Sequence, residues 1–99
     1  MNIDLTAALA DLQRRRTLAD AAVDRAKAKH DATTAAHQAA HAAMRAAFDA
    51  YYSTKAEADW AAYTAARKVE QAAYRADKQA WGRLNAAWTR RHGLVIKTA

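Results

Sequence analysis

The sequence has no cysteine, no proline and only two glycines, Gly82 and Gly93, among its 99 residues. Without cysteine there is neither a disulfide framework nor thiolate chemistry, so redox conditions do not fix the compartment. No proline or glycine interrupts residues 2–81, so the ends of helices in this range have to be found from capping residues. The predicted fold class is therefore all-α.

Long apolar runs are also missing. The longest stretch without Asp, Glu, Lys or Arg covers residues 32–44, and these 13 residues are fewer than the ~20 that a membrane span requires. The opening MNIDLTAALADL carries an early acid and lacks the basic and then apolar pattern of a signal peptide. We therefore expect a soluble, cytoplasmic protein with no membrane partner.

Residue patterns that support catalysis are scarce. Ser53 is the only serine, and the sequence contains no glycine-rich phosphate loop and no His-Glu-x-x-His motif. Glu57 and Asp59 are two residues apart, a spacing at which carboxylates diverge on a helix. We expect a non-catalytic protein without a cofactor or a small-molecule substrate.

Alanine occupies about one position in three, and bulky apolar residues are few, which favours thin packing of helix on helix. Asn2 or Asp4 can cap the first helix, and the capping box Thr54–Glu57 indicates a turn near residue 53. Residues 1–99 then form one domain, a long antiparallel hairpin resembling a coiled coil. Helix 1 covers about 4–52 and helix 2 about 54–92, followed by an apolar tail at 94–96. Possible caps at Thr17 and Asp31 leave a three-helix alternative open, with a break near residue 31.

One face of helix 1 predicts the packing seam of this hairpin. Its side chains alternate spacings of four and three residues: His30, Thr34, His37, His41, Met44, Phe48 and Tyr51. If the chain folds near residue 53, the numbers of opposed residues sum to about 106 in such an antiparallel pair. The residues then opposed on helix 2 are small and form a close-packing groove: Ala58, Ala62, Ala65, Val69, Ala72 and Ala76.

The histidines of this stretch suggest a metal site, because His37 and His41 have a familiar ligand spacing on a helix. Two ligands do not complete a site, and His30 lies about 10 Å from His37 along the helix axis. Glu70 is the only nearby anion across the seam. We therefore expect no bound metal, and interpret the histidines as part of a partly hydrated seam.

The sharpest feature of helix 2 is an aromatic stripe. Trp60, Arg67, Tyr74, Trp81 and Trp88 are seven residues apart, with Tyr63 and Lys78 beside them. If the alanine groove faces helix 1, these rings face away and need a second surface to cover them. The alternative is that the rings insert against small residues of helix 1 at 39–50, or against a folded-back N-terminal segment.

Two functional hypotheses follow. The first is a protein-interaction module that binds a protein partner or itself through Trp60, Tyr63, Arg67, Tyr74, Lys78, Trp81 and Trp88. The second is nucleic-acid binding, since the net charge is +6 and one end of the hairpin gathers Arg14, Arg15, Arg16, Arg83, Arg90 and Arg91. The stripe itself does not suit base stacking, because its rings are about 10.5 Å apart on the helix.

The high alanine and arginine content is typical of bacterial or bacteriophage proteins.

Overall fold

The computed structural model describes residues 4–95. Within them the chain forms two α-helices, α1 (Leu5–Thr54) and α2 (Glu57–His92), which pack together as an antiparallel hairpin. The hairpin measures 79 × 18 × 12 Å and is therefore a single layer of two helices. This confirms the all-α hairpin predicted from the sequence. The three-helix alternative is wrong, because α1 continues without a break through residues 17 and 31.

The helix ends follow local hydrogen bonding. The Asp4 carboxylate accepts bonds from the backbone N–H groups of Thr6 and Ala7 at 3.1 and 3.2 Å, so Asp4 caps α1 as predicted. α2 ends at His92, where helix 2 was predicted to end, and Gly93 follows it. The alternative cap Asn2 and the last residue of the predicted apolar tail, Ile96, lie outside the described residues.

The turn lies at Lys55 and Ala56, later than the predicted position near residue 53. Thr54 does not cap α2 in the way a capping box requires, because it is still the last residue of α1. Its hydroxyl instead accepts the backbone N–H of Ala56 at 3.2 Å and donates to the Asp59 carboxylate. Lys55 reverses the chain with a left-handed backbone (φ 55°), and its N–H donates to the Tyr51 carbonyl at 2.7 Å.

The conformation of Lys55 gives a first prediction. A left-handed backbone is strained for any residue with a Cβ atom but not for glycine. We expect Lys55→Gly to be more stable than Lys55→Ala by about 1 kcal/mol in urea denaturation, because both variants lose the ammonium that lies 4.1 Å from the Tyr52 ring centroid and only the alanine variant keeps the strain. Equal stability of the two variants would show that this backbone geometry carries no strain.

The less exposed residues of both helices recur at alternate spacings of three and four, and we call them the seam. On α1 they are Leu12, Arg16, Ala19, Val23, Ala26, His30, Thr33, His37, Ala40, Met44, Ala47 and Tyr51. On α2 they are Asp59, Tyr63, Ala66, Glu70, Ala73, Asp77, Ala80, Leu84, Ala87, Arg91 and Leu94. The spacing is the one expected for two helices that pack along their whole length.

The predicted face of α2 is wrong by one residue. Ala58, Ala62, Ala65, Val69, Ala72 and Ala76 are all exposed, and the seam uses the residue that follows each of them. One residue corresponds to a rotation of about 100° around the helix. The physical reason lies in the polar side chains of α1: this rotation places Glu70 and Asp77 of α2 against His37, His30 and Thr33, and alanines offer these groups no partner.

The apolar core lies in the half of the hairpin away from the turn. Val23 packs with Leu84 and Ala87, and Ala26 packs against this cluster. Leu12 and Ala80 are also buried. No described side chain is less than 2 % exposed, so the core is thin and both broad faces of the hairpin remain open.

Candidate interaction face

Four large rings of α2 lie in a row beside the seam. Trp60, Tyr74, Trp81 and Trp88 each follow a seam residue directly, so all four project to the same side of the hairpin. Their exposed fractions are 48, 48, 52 and 46 %. We call this side of the hairpin, together with Phe48 of α1, the aromatic face.

Three of the four rings pack against rings of α1, and the fourth, Trp88, packs against His92 of α2 at 5.2 Å. The ring centroid of Trp60 lies 5.0 Å from that of Tyr51, and the centroid of Trp81 lies 5.3 Å from that of His30. Tyr74 lies 5.5 Å from His37 in the same way. The rings therefore neither turn fully away from α1, as the alanine groove implied, nor insert into it, as the alternative required. They cover the edge of the seam and leave about half of their area open.

The surface between the rings is shaped rather than flat. Phe48 of α1 packs edge to face on Tyr63 at 5.4 Å, which extends the aromatic face across both helices. Three shallow open grooves lie on this side of the hairpin. The first is lined by His41, Met44, Arg45, Phe48, Asp49 and Tyr63, the second by Glu70, Gln71, Tyr74, Arg75 and Lys78, and the third by Asp20, Trp88, Arg91 and His92.

Cationic side chains accompany the rings. Arg67 occupies the same row and is exposed, and the Lys78 ammonium lies 5.7 Å from the Tyr74 ring centroid. At the turn, the Lys55 ammonium lies over Tyr52. A surface with half-open rings and cations beside them suits contact with aromatic, acidic or polar groups of another macromolecule.

The opposite side of the hairpin has a different character. Its exposed residues on α2 are the alanines that were predicted to face α1, together with Val69, and α1 adds further exposed alanines at 36, 43 and 50. We call this side the alanine face. It carries no ring along this stretch, so it provides a matched position for control substitutions.

Two polar layers lie beneath the aromatic face. In the first, the Asp77 carboxylate accepts hydrogen bonds from the hydroxyls of Thr33 and Thr34 at 2.9 and 2.8 Å, and the His30 Nε2 atom lies 3.5 Å away. Hydrogen bonds from Thr34 and Thr33 lower the pKa of Asp77, and the nearby His30 and His37 act in the same direction against the effect of burial.

In the second layer, one oxygen of Glu70 lies 2.9 Å from His37 Nε2 and 3.8 Å from His41 Nδ1. No group of three or more His, Cys, Asp or Glu side chains within residues 4–95 is arranged to hold a metal ion. Glu70 was expected near these histidines, but the layer of Asp77 was not predicted, although a signal was present: Glu70 and Asp77 are seven residues apart, as are His30 and His37. Acids and histidines at the same seven-residue spacing on two antiparallel helices face each other when the helices pack along their length.

The arginines of the nucleic-acid hypothesis are largely engaged within the hairpin. Arg14 and Arg15 both pair with Asp11, at 2.5 and 3.0 Å. Arg16 donates to the Leu94 carbonyl at 3.4 Å, and Arg91 pairs with Asp20. Arg83 and Arg90 are exposed and form no ion pair with another described residue.

The described residues therefore form an extended surface with exposed apolar area, the aromatic face, and a basic end whose charge is partly neutralised. Neither helix, over the residues described, has a stretch long and apolar enough to cross a lipid bilayer. Comparison with protein-family models, with curated proteins and with solved structures gave no match to this chain.

Proposed function

We propose that this chain is a non-catalytic helical module that binds protein through its aromatic face, without a cofactor, in the cytoplasm. The single observation that carries the proposal is the row of four half-exposed rings. A buried aromatic side chain covers roughly 150–250 Å², so the open halves together leave about 300–500 Å² of aromatic surface. The rings are spaced along one row rather than joined, and their combined area is comparable with that of the largest apolar patch on a typical monomer, which is often an interaction site.

The dimensions of the row favour a protein surface over a small ligand. From Trp60 to Trp88 it extends about 42 Å along α2 at 1.5 Å per residue. The grooves between the rings are shallow and open, whereas small-molecule sites enclose most of their ligand. Tryptophan, tyrosine and arginine are also the residues that contribute most to protein interfaces. The 4-3 spacing of the seam supports coiled-coil packing, which gives these rings a rigid scaffold.

The ion pairs at the basic end support the protein hypothesis over nucleic-acid binding. Salt-dependent binding to phosphates needs several cations that can release counterions. Arg14, Arg15 and Arg91 instead have carboxylate partners within the chain, so less charge is available to a polyanion. Arg83 and Arg90 provide two exposed cations, few for a phosphate-binding surface.

Affinity capture with matched variants tests the proposed function. We expect immobilised wild-type chain to retain protein from its native extract after nuclease treatment, and the double variant Trp81→Ala/Trp88→Ala to retain at least tenfold less. Val69→Ala removes a side chain that is 61 % exposed on the alanine face and should leave retention unchanged. If nuclease or the double variant Arg83→Gln/Arg90→Gln abolishes retention while the tryptophan variant does not, the chain binds nucleic acid and the proposal fails.

A further inference from the structure

The hairpin exposes more surface than a compact protein of its mass. Its accessible surface is 7548 Å², whereas a compact monomer of 10.9 kDa exposes about 5,600 Å² by the usual scaling of area with mass. The excess is roughly 1,900 Å², and a stable homodimer covers on the order of 1,000 Å² or more on each partner. A second single-layer hairpin would supply the missing layer, as in four-helix bundles.

A stripe of α1 beside the aromatic face carries charges that complement those of the same stripe in a second copy running in the opposite direction. Every seventh residue gives Asp24, Asp31, Gln38, Arg45 and Tyr52, all exposed. Arg45 lines a groove of the aromatic face with Phe48, which places the stripe on that side. In a reversed copy, the register that pairs Asp24 with Arg45 also pairs Asp31 with Gln38. Asp24, Asp31 and Arg45 form no ion pair with any residue in the range 4–95.

The same register gives almost complete overlap of two hairpins. The stripe is symmetric about the level of residues 34 and 35, and the stretch of α1 covered by α2 runs from about Asp20, which contacts Arg91, to the turn at Lys55. The centres of the stripe and of the covered stretch differ by only about 4 Å along the helix. On α2 this register places Tyr74 opposite Lys78 and Trp60 opposite His92 of the copy, so that rings meet cationic or polar groups.

The opposite orientation brings two arginines together near the turn. If two aromatic faces met with both turns at the same end, α1 would lie on α2 of the copy. Arg45 and Arg67 lie at nearly the same distance from the turn, about 16 Å by residue count, so they would come together twice across the interface. Like charges brought together across an interface oppose association.

We propose that the aromatic face docks on the aromatic face of a second copy of this chain, in antiparallel orientation, with Asp24 of each copy against Arg45 of the other. The inference rests on the proposed function and names its partner. The resulting particle is a four-helix assembly in which α1 lies on α1 and α2 on α2. The rings of both copies then fill the space between the two layers.

Light scattering after size exclusion, together with tryptophan emission, tests the assembly. All three tryptophans lie on the aromatic face, so their emission reports on this surface alone. We expect twice the mass of 10.9 kDa, with blue-shifted emission that returns to the red on dilution. Trp81→Ala should weaken association at least tenfold, and Val69→Ala on the alanine face should leave it unchanged.

Charge reversal tests the antiparallel register. Asp24→Arg and Arg45→Asp should each weaken self-association about fivefold or more, because each places like charges together. The double variant should recover association, and an equimolar mixture of the two single variants should form mixed dimers more tightly than either variant alone. Circular dichroism at each concentration confirms that the variants remain helical.

The outcomes separate the two proposals. A fully helical monomer at several hundred micromolar overturns docking on a second copy, but leaves the proposed binding of another protein in place. A doubled mass with unshifted emission and no effect of Trp81→Ala overturns docking of one copy on another through the aromatic face, which then stays open to a different protein. If the double charge reversal does not restore the dimer, the antiparallel register is wrong.

Discussion

Leu84→Ala should destabilise the hairpin by about 2–4 kcal/mol, the usual cost of truncating a buried leucine. Leu84 is 7 % exposed and packs with Val23, Ala87 and Ala26 in the core cluster. Because its neighbours are small and the layer is only two helices thick, few other contacts compensate for the lost side chain. Small domains have a free energy of unfolding of only about 5–15 kcal/mol, so this loss is a large fraction of the total.

Urea denaturation followed by circular dichroism, at one fixed chain concentration, measures this effect. Leu18→Ala is the matched control, because it makes the same chemical change at a side chain that is 65 % exposed. We expect the control to change the free energy of unfolding by less than about 0.5 kcal/mol. Equal effects of the two substitutions would mean that the half of the hairpin away from the turn is not the core.

Asp77→Ala should lower the melting temperature by several degrees, because it leaves buried Thr33 and half-buried Thr34 without their shared acceptor. Asp77→Asn keeps one acceptor oxygen and loses the charge, so it should fall between the wild type and the alanine variant. Asp31→Ala removes an exposed carboxylate of the same hairpin and is the control. The melts are compared at chain concentrations too low for self-association.

The pH dependence of stability follows from the lowered pKa of Asp77. A carboxyl group whose pKa is lower in the folded than in the unfolded chain stabilises the fold above its unfolded pKa, and this stabilisation disappears as the pH falls through the folded pKa. We therefore expect wild-type stability to decline as the pH falls below about 4, the ordinary range of an aspartate. In Asp77→Asn this part of the decline should be absent in thermal melts from pH 7 to pH 2. An identical acid profile for both proteins would show that other carboxylates carry the effect.

The helices were predictable because their determinants are local. The absence of proline, the scarcity of glycine and the alanine content act on each residue within its own turn of helix. The cap at Asp4 needs only the two N–H groups that follow it. The turn was placed too early because Thr54 could serve either helix, and its hydrogen bonds to Ala56 and Asp59 became apparent only with the chain reversed.

The facing surfaces were not predictable in the same way. Small residues occur on several sides of α2, so apolar pattern alone does not distinguish the alanine face from the seam. The choice depends on pairs such as Glu70 with His37 and Asp77 with Thr33, which lie more than thirty residues apart in the chain. A rotation of about 100° satisfies these polar groups and exposes the alanines.

By itself, the sequence determined that the chain is helical, that it reverses near its middle, and that three tryptophans and a tyrosine share one row of α2. Composition and capping signals are enough for the first two, and periodicity along a single helix is enough for the third, because it fixes which side chains project together. Only the tertiary structure decided which side of α2 meets α1, and so left each ring half covered and half open. The facing side depends on hydrogen bonds and ion pairs between residues distant in the chain, which form only when the two helices are in contact.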